Sequence, residues 1–284
     1  MTSQHRRTTA AMPSRSRRRL IVFSAVAVMA FVAMPVVFAD RLNDRDVKSL
    51  IDRVNDERDR FEDQLDGKLK SSILRGPGGE VNVSRFLDDL QENIGKMKDR
   101  FKPEYAASAE VTAVLRQGSD IQRFMAKQPA NYDGASEWKR FEASLTELAT
   151  AYSVKLPLGE TQTARRMNDR EVKVIAEELA NTAGRFKNDF DATLKVDKAV
   201  PPATRQAELK ELDGLKSDAE KLADVVGEGR PSSGEAKALL DRTARVRTIT
   251  APRTLSPAAQ KSWQGFETGL AKVAEAFGMP ARLP

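Results

Sequence analysis

Residues 42–48 read Leu-Asn-Asp-Arg-Asp-Val-Lys, and residues 167–173 read Met-Asn-Asp-Arg-Glu-Val-Lys. The offset is 125 positions, and it serves the rest of the chain without a gap. Arg60-Phe61 falls on Arg185-Phe186, and Leu87-Asp88-Asp89-Leu90 falls on Leu212-Asp213-Gly214-Leu215. Near the end of each half, Trp138, Phe141, Glu142, Leu145 and Tyr152 fall on Trp263, Phe266, Glu267, Leu270 and Phe277. One offset serving four separate blocks points to a tandem duplication of a domain-sized unit, far longer than a solenoid repeat. The expected organisation is an N-terminal segment 1–39, a first repeat 40–158, a polar linker 159–165 and a second repeat 166–284.

Within each unit the apolar residues follow helical spacing. Val47, Leu50, Val54, Phe61 and Leu65 form one stripe, echoed by Val172, Ile175, Leu179, Phe186 and Phe190. Steps of three, four and seven place them on one face of a helix. Three further stripes follow in each unit, around residues 83–101, 111–125 and 138–152, and again around 209–226, 239–249 and 263–277. No stretch alternates with a period of two. Gly and Pro gather between the stripes, at Gly76-Pro77-Gly78-Gly79, Pro201-Pro202 and Gly227–Pro231. The expected fold is all-α: a duplicated four-helix bundle, with an antiparallel arrangement favoured by the connections.

The recurring Asn-Asp-Arg has a local explanation. Asn43 suits an N-cap, Asp46 lies three residues on, and Leu42 and Val47 are spaced for a hydrophobic staple; Asn168, Glu171, Met167 and Val172 repeat the pattern. The motif reads chiefly as a helix start.

The chain has 284 residues, with 47 Lys and Arg against 41 Asp and Glu, one His and no Cys. Residues 1–39 hold six Arg, no acidic residue and the lone His5. Residues 40–284 are therefore neutral, with equal numbers of basic and acidic side chains. The basic excess belongs to a segment laid out as a secretory signal: Arg-rich to Arg19, apolar from Leu20 to Ala39, with Val37-Phe38-Ala39 at the expected cleavage point. The apolar run is also long enough to serve as a retained membrane anchor. Ser16-Arg17-Arg18 resembles a twin-arginine start, but Leu20-Ile21 departs from it. Either route exports residues 40–284. An exported chain without Cys fits a bacterial periplasm or exterior.

That same arithmetic narrows the chemistry. Without His or Cys after residue 39, Ser-His-Asp and Cys-His nucleophile pairs, imidazole or thiolate metal sites, and c-type haem attachment have no residues to use. No catalytic, cofactor-binding or metal-ligating residues are expected. The acidic and basic residues between Arg53 and Asp66 read as a solvated, ion-paired helix face. Asp189-Phe190-Asp191 lacks the glycine and closing glutamate of a calcium loop. Gly76–Gly79 lacks the Lys and Ser/Thr of a phosphate loop and reads as a turn.

Two polar pairs remain at equivalent positions, Arg60 with Glu142 and Arg185 with Glu267. They are expected to form ion pairs that set helix register. Trp138 and Trp263 are expected in the core, with an aromatic lid over a groove as the alternative. The function expected is that of an exported, non-catalytic binding or structural module of the cell envelope. The alternative is a carrier of an apolar small molecule, held within a bundle or between the repeats. Its partner would be a protein or an apolar ligand. Nucleic acid is not expected, and the membrane enters only through residues 20–39 if they stay uncleaved.

Overall fold

The computed structural model describes residues 41–76, 79–197 and 199–280. The expected signal segment 1–39 lies outside them. The described chain is mostly helical, and no helix in it is long and apolar enough to cross a membrane.

Helix α1 (Asp44–Gln64) starts where Asn43 turns extended and its side chain accepts from the Asp46 amide at 2.9 Å. Its stripe of Val47, Leu50, Ile51, Val54 and Phe61 is buried. A short helix α2 (Gly67–Ser71) follows, then strands β1 (Ile73–Gly76) and β2 (Gly79–Asn82), paired antiparallel. The glycine-rich stretch read as a turn joins these two strands. Asn82 caps α3 (Val83–Arg100) by accepting from the Arg85 amide at 2.8 Å. Helices α4 (Ser108–Met125) and α5 (Ala135–Ala151) complete the first set. The second set comprises α6 (Asp169–Val196), α7 (Pro202–Gly227), α8 (Ser233–Thr250) and α9 (Pro257–Ala276).

In the first set α1 packs on α3 and α5, and α4 packs on the same two helices. In the second, α6 packs on α7 and α9, and α8 on the same two. The buried apolar residues form two clusters, one drawn from residues 47–164 and the other from 172–279. All described residues nevertheless belong to one compact unit.

The hairpin is a departure from the expectation of no strand. Its strands are four residues long and Leu74 is its one fully buried side chain, so there is no alternating run to read. The break between α1 and α2 is a second difference, because α6 runs unbroken over the corresponding length. Gly67 stands where α6 has Ala192, a difference of about 1 kcal/mol in helix propensity. Gly134, in the left-handed region at φ 91°, also crosses close to the end of α1. A Cβ there would meet the Gln64 carbonyl at 3.2 Å.

Candidate functional site

The first amides of a helix have no partner within it and attract acceptors and negative charge. Asp44 and Asp169 open α1 and α6, and each serves the other helix. The Asp44 amide donates to Asp169 Oδ2 at 2.8 Å, and the Asp169 amide donates to Asp44 Oδ2 at 2.9 Å. Arg41 Nη1 donates to Asp169 Oδ1 at 2.6 Å, while Arg166 Nη2 donates to Asp44 Oδ1 at 2.7 Å. Arg41 and Arg166 are themselves 125 positions apart, as are the two aspartates. The four residues therefore form a reciprocal clasp in which these four hydrogen bonds exchange roles pairwise, while Arg166 alone also pairs with the second aspartate, Asp169, at 3.8 Å. The two amide–carboxylate bonds and the two short arginine–aspartate bonds exchange roles as contacts across an isologous interface do.

The clasp is shielded from water. The Arg41 and Arg166 side chains keep only 6% and 3% of their surface. Burial pushes the Arg41 guanidinium below its ordinary pKa and the Arg166 charge adds to that, while Asp169 and Asp44 oppose both. Arg41 also donates to the Met167 carbonyl at 2.7 Å, and its guanidinium lies 5.6 Å from the centre of the Phe277 ring. Its amide donates to Ser233 Oγ at 3.1 Å, which ties the start of α8 to the same point. Tyr152 stands at the position equivalent to Phe277. Burial raises its phenol pKa, and its hydroxyl donates to the Ala106 carbonyl.

The connection read as a polar linker holds Arg166 in place. The Leu158 amide donates to Ser119 Oγ at 2.7 Å and the Ala164 amide to Thr112 Oγ1 at 2.9 Å. Leu158 and Ala164 are buried against the first set. Two hydroxyls on α4 thus satisfy backbone donors that burial would otherwise leave unpaired.

The helix-start residues lie one position from the clasp. Asn43 exchanges hydrogen bonds with Asp46, its Oδ1 accepting from the amide and its Nδ2 donating to Oδ2 at 2.8 Å. Asn168 and Glu171 form a reciprocal capping box, at 2.7 and 2.9 Å. The caps orient both helix starts, and the aspartate within the recurring motif joins them. Sequence reasoning missed that second role. The signal was available: Arg41 and Asp44 recur at the common offset, as Arg60 and Glu142 do.

The structure does not bring Arg60 to Glu142, nor Arg185 to Glu267. Arg60 pairs with Glu57 at 3.0 Å, one turn back on its own helix, and Arg185 donates to Thr182 Oγ1 at 3.0 Å. Glu142 accepts from Gln122 at 2.8 Å, and Glu267 pairs with Arg247 at 3.0 Å. The reason is angular. Glu142 and Glu267 follow Phe141 and Phe266 by one residue, so they point about 100° away from the face buried against α1 or α6. They reach α4 and α8 instead, at positions that are again equivalent.

Trp138 and Trp263 are buried. Trp138 lies 5.3 Å from Phe61 and 6.0 Å from Phe141 between ring centres; Trp263 lies 4.8 Å from Phe186 and 5.6 Å from Phe266. Each set thus has a matching triad of rings in its core rather than a lid. Among the described residues no three His, Cys, Asp or Glu side chains are grouped to hold a metal ion.

Two open grooves flank the clasp. One, of about 630 Å³, runs between α6 and α9 and reaches Glu104 of the first set. The other, of about 300 Å³, lies over Arg165, Arg166 and Met167. Chemically, the clasp pairs two cations with two anions, and Arg166 Nε is buried without a hydrogen-bond partner. It joins the starts of α1 and α6, and the grooves lie beside it. Comparison with protein-family models, with curated proteins and with solved structures finds no match to this chain.

Proposed function

We propose that residues 40–284 are a tandem duplication of an antiparallel four-helix bundle, exported behind the 1–39 segment. In this reading they act without catalysis, as a binding module of a bacterial cell envelope. The observation that carries the reading is the reciprocal clasp of Arg41, Asp44, Arg166 and Asp169. A buried joint between two similar bodies fixes their spacing, as a protein that presents surfaces to a partner requires. Matched neighbour relations in the two rings of helices, and their separate apolar clusters, support the duplication. The lack of His and Cys beyond residue 39 supports a role in binding rather than turnover.

The test is native mass spectrometry on protein isolated from its own envelope fractions. The expected species begins at Asp40 and carries a protein partner in fixed stoichiometry. A stoichiometric apolar small molecule would replace this reading with that of a carrier. Full-length chain confined to the cytoplasmic fraction would remove export from it.

A further inference from the structure

The groove between α6 and α9 differs from the face that holds the corresponding position in the first set. Its floor is Met167, Val174 and Ile175, and Val174 keeps 45% of its surface exposed. Counting back 125 positions gives Leu42, Ser49 and Leu50. There the exposed residue is a serine and Leu50 is buried. Across that face Arg53 on α1 reaches Glu147 on α5 at 2.8 Å. The second set carries the same two positions with the charges exchanged, Glu178 on α6 and Lys272 on α9. Among the described residues neither forms an ion pair, with the other or elsewhere. One face is bridged and polar; its counterpart is unbridged and has an apolar floor.

The rim of the open groove is acidic. Glu104, Glu171, Glu178 and Glu275 outnumber Arg170 and Lys272 by four to two. Glu104 comes from the connection between α3 and α4 and closes one end. Its equivalent is Gly229, which lies beside Arg45 at the other face and brings no carboxylate. Exposed apolar surface framed by an excess of charge of one sign is the pattern of a docking site that selects its partner by electrostatics.

We infer that the α6–α9 groove docks a cationic, amphipathic segment of a partner protein. An apolar side chain of that segment covers Val174 and Ile175, and flanking Lys or Arg meets Glu178, Glu275 and Glu104. A groove between two helices accepts such a segment as a helix laid along it. The inference rests on the binding-module reading and names the partner's chemistry.

The experiment is selection from a random linear-peptide library on residues 40–284. The wild-type chain is compared with a variant carrying the first-set residues in the groove, V174S/E178R/K272E. These changes transplant side chains already carried on α1 and α5 and leave the rim's charge balance unchanged, while E178R alone shifts that balance and tests it. Expected are selected peptides in which Lys or Arg flanks apolar residues. Fluorescence anisotropy should show them binding at least about tenfold more weakly to E178R, which levels the rim at three acids and three cations, and also more weakly to the triple variant, which removes the Val174 contact. Affinity should also fall with added salt, since the rim charges are exposed. The inference is overturned by an empty selection, by acidic peptides, or by affinity that neither variant changes. Such a result beside a protein partner in the native mass spectrum would discard the groove and leave the binding module standing. A spectrum with no protein partner would discard the module itself.

Discussion

Ser153 and Gly278 occupy the same point at the ends of α5 and α9, in the left-handed region at φ 58° and 61°. In both, the next amide reaches back into the helix: Val154 to the Ala149 carbonyl at 2.9 Å and Met279 to Ala274 at 2.8 Å. The residue's own amide bonds three positions back, Ser153 to Thr150 and Gly278 to Glu275. This closure suits glycine, because a Cβ in that conformation costs an L-residue roughly 1–2 kcal/mol. Part of the cost is offset by glycine's greater freedom in the unfolded chain. Ser153→Gly should therefore stabilise the protein by about 0.5–1 kcal/mol, and Gly278→Ser should destabilise it by a similar amount. A Cβ at Gly278 would meet nothing within 4 Å, so that effect is purely conformational. Urea midpoints should move in opposite directions at constant slope. If both fall, backbone strain does not govern these helix ends.

Among the elements, the hairpin depends on one side chain. Two short strands are marginal alone in water, and Leu74 is what ties these to the first core. Leu74→Ala should cost about 3 kcal/mol, within the range for a buried leucine. Ile73→Ala, at a residue half exposed, should cost well under about 1 kcal/mol. Amide exchange should speed up first at residues 73–82 in the Leu74 variant, ahead of α1 and α3. The hairpin was illegible in the sequence because a single inward residue makes no pattern. The long helices among the described residues were legible because each repeats its apolar spacing over several turns, with Asn43 and Asn168 at two of the starts. Arg58 was misread. It lies four after Val54 and three before Phe61, so the spacing puts it on the buried stripe, and it is 1% exposed. The surrounding run of charge hid this, and Ala183, its buried equivalent on α6, shows how small that site otherwise is. Its guanidinium is held by Asp59 and Glu62, which swing in from the charged face. The clasp was missed for a different reason: stripe analysis pairs residues within one unit, and these four pair across two.

For the whole molecule, the clasp decides whether two helix sets unfold as one body. Each set has its own apolar cluster, and nothing in that arrangement alone requires them to melt together. The coupling is expected from the buried cations and the helix starts they bridge. Asp169→Ala leaves Arg41 without its carboxylate and the Asp44 amide without its acceptor; Asp44→Ala removes the acceptor of the Asp169 amide and the nearer carboxylate of Arg166, which keeps Asp169 at 3.8 Å. Removing one partner of a buried pair costs about 3 kcal/mol or more, because the remaining charge stays desolvated. Asp169→Ala should lose more stability than Asp44→Ala, since Asp169 pairs with both arginines and Asp44 with one. The double variant should fall short of their sum, because both changes open the same joint. Calorimetry supplies the decisive measurement. The intact chain should show a single transition whose calorimetric and van't Hoff enthalpies agree, and either aspartate variant should resolve into two. Additive losses with one transition retained would mean that packing along residues 152–168, rather than the clasp, holds the sets together.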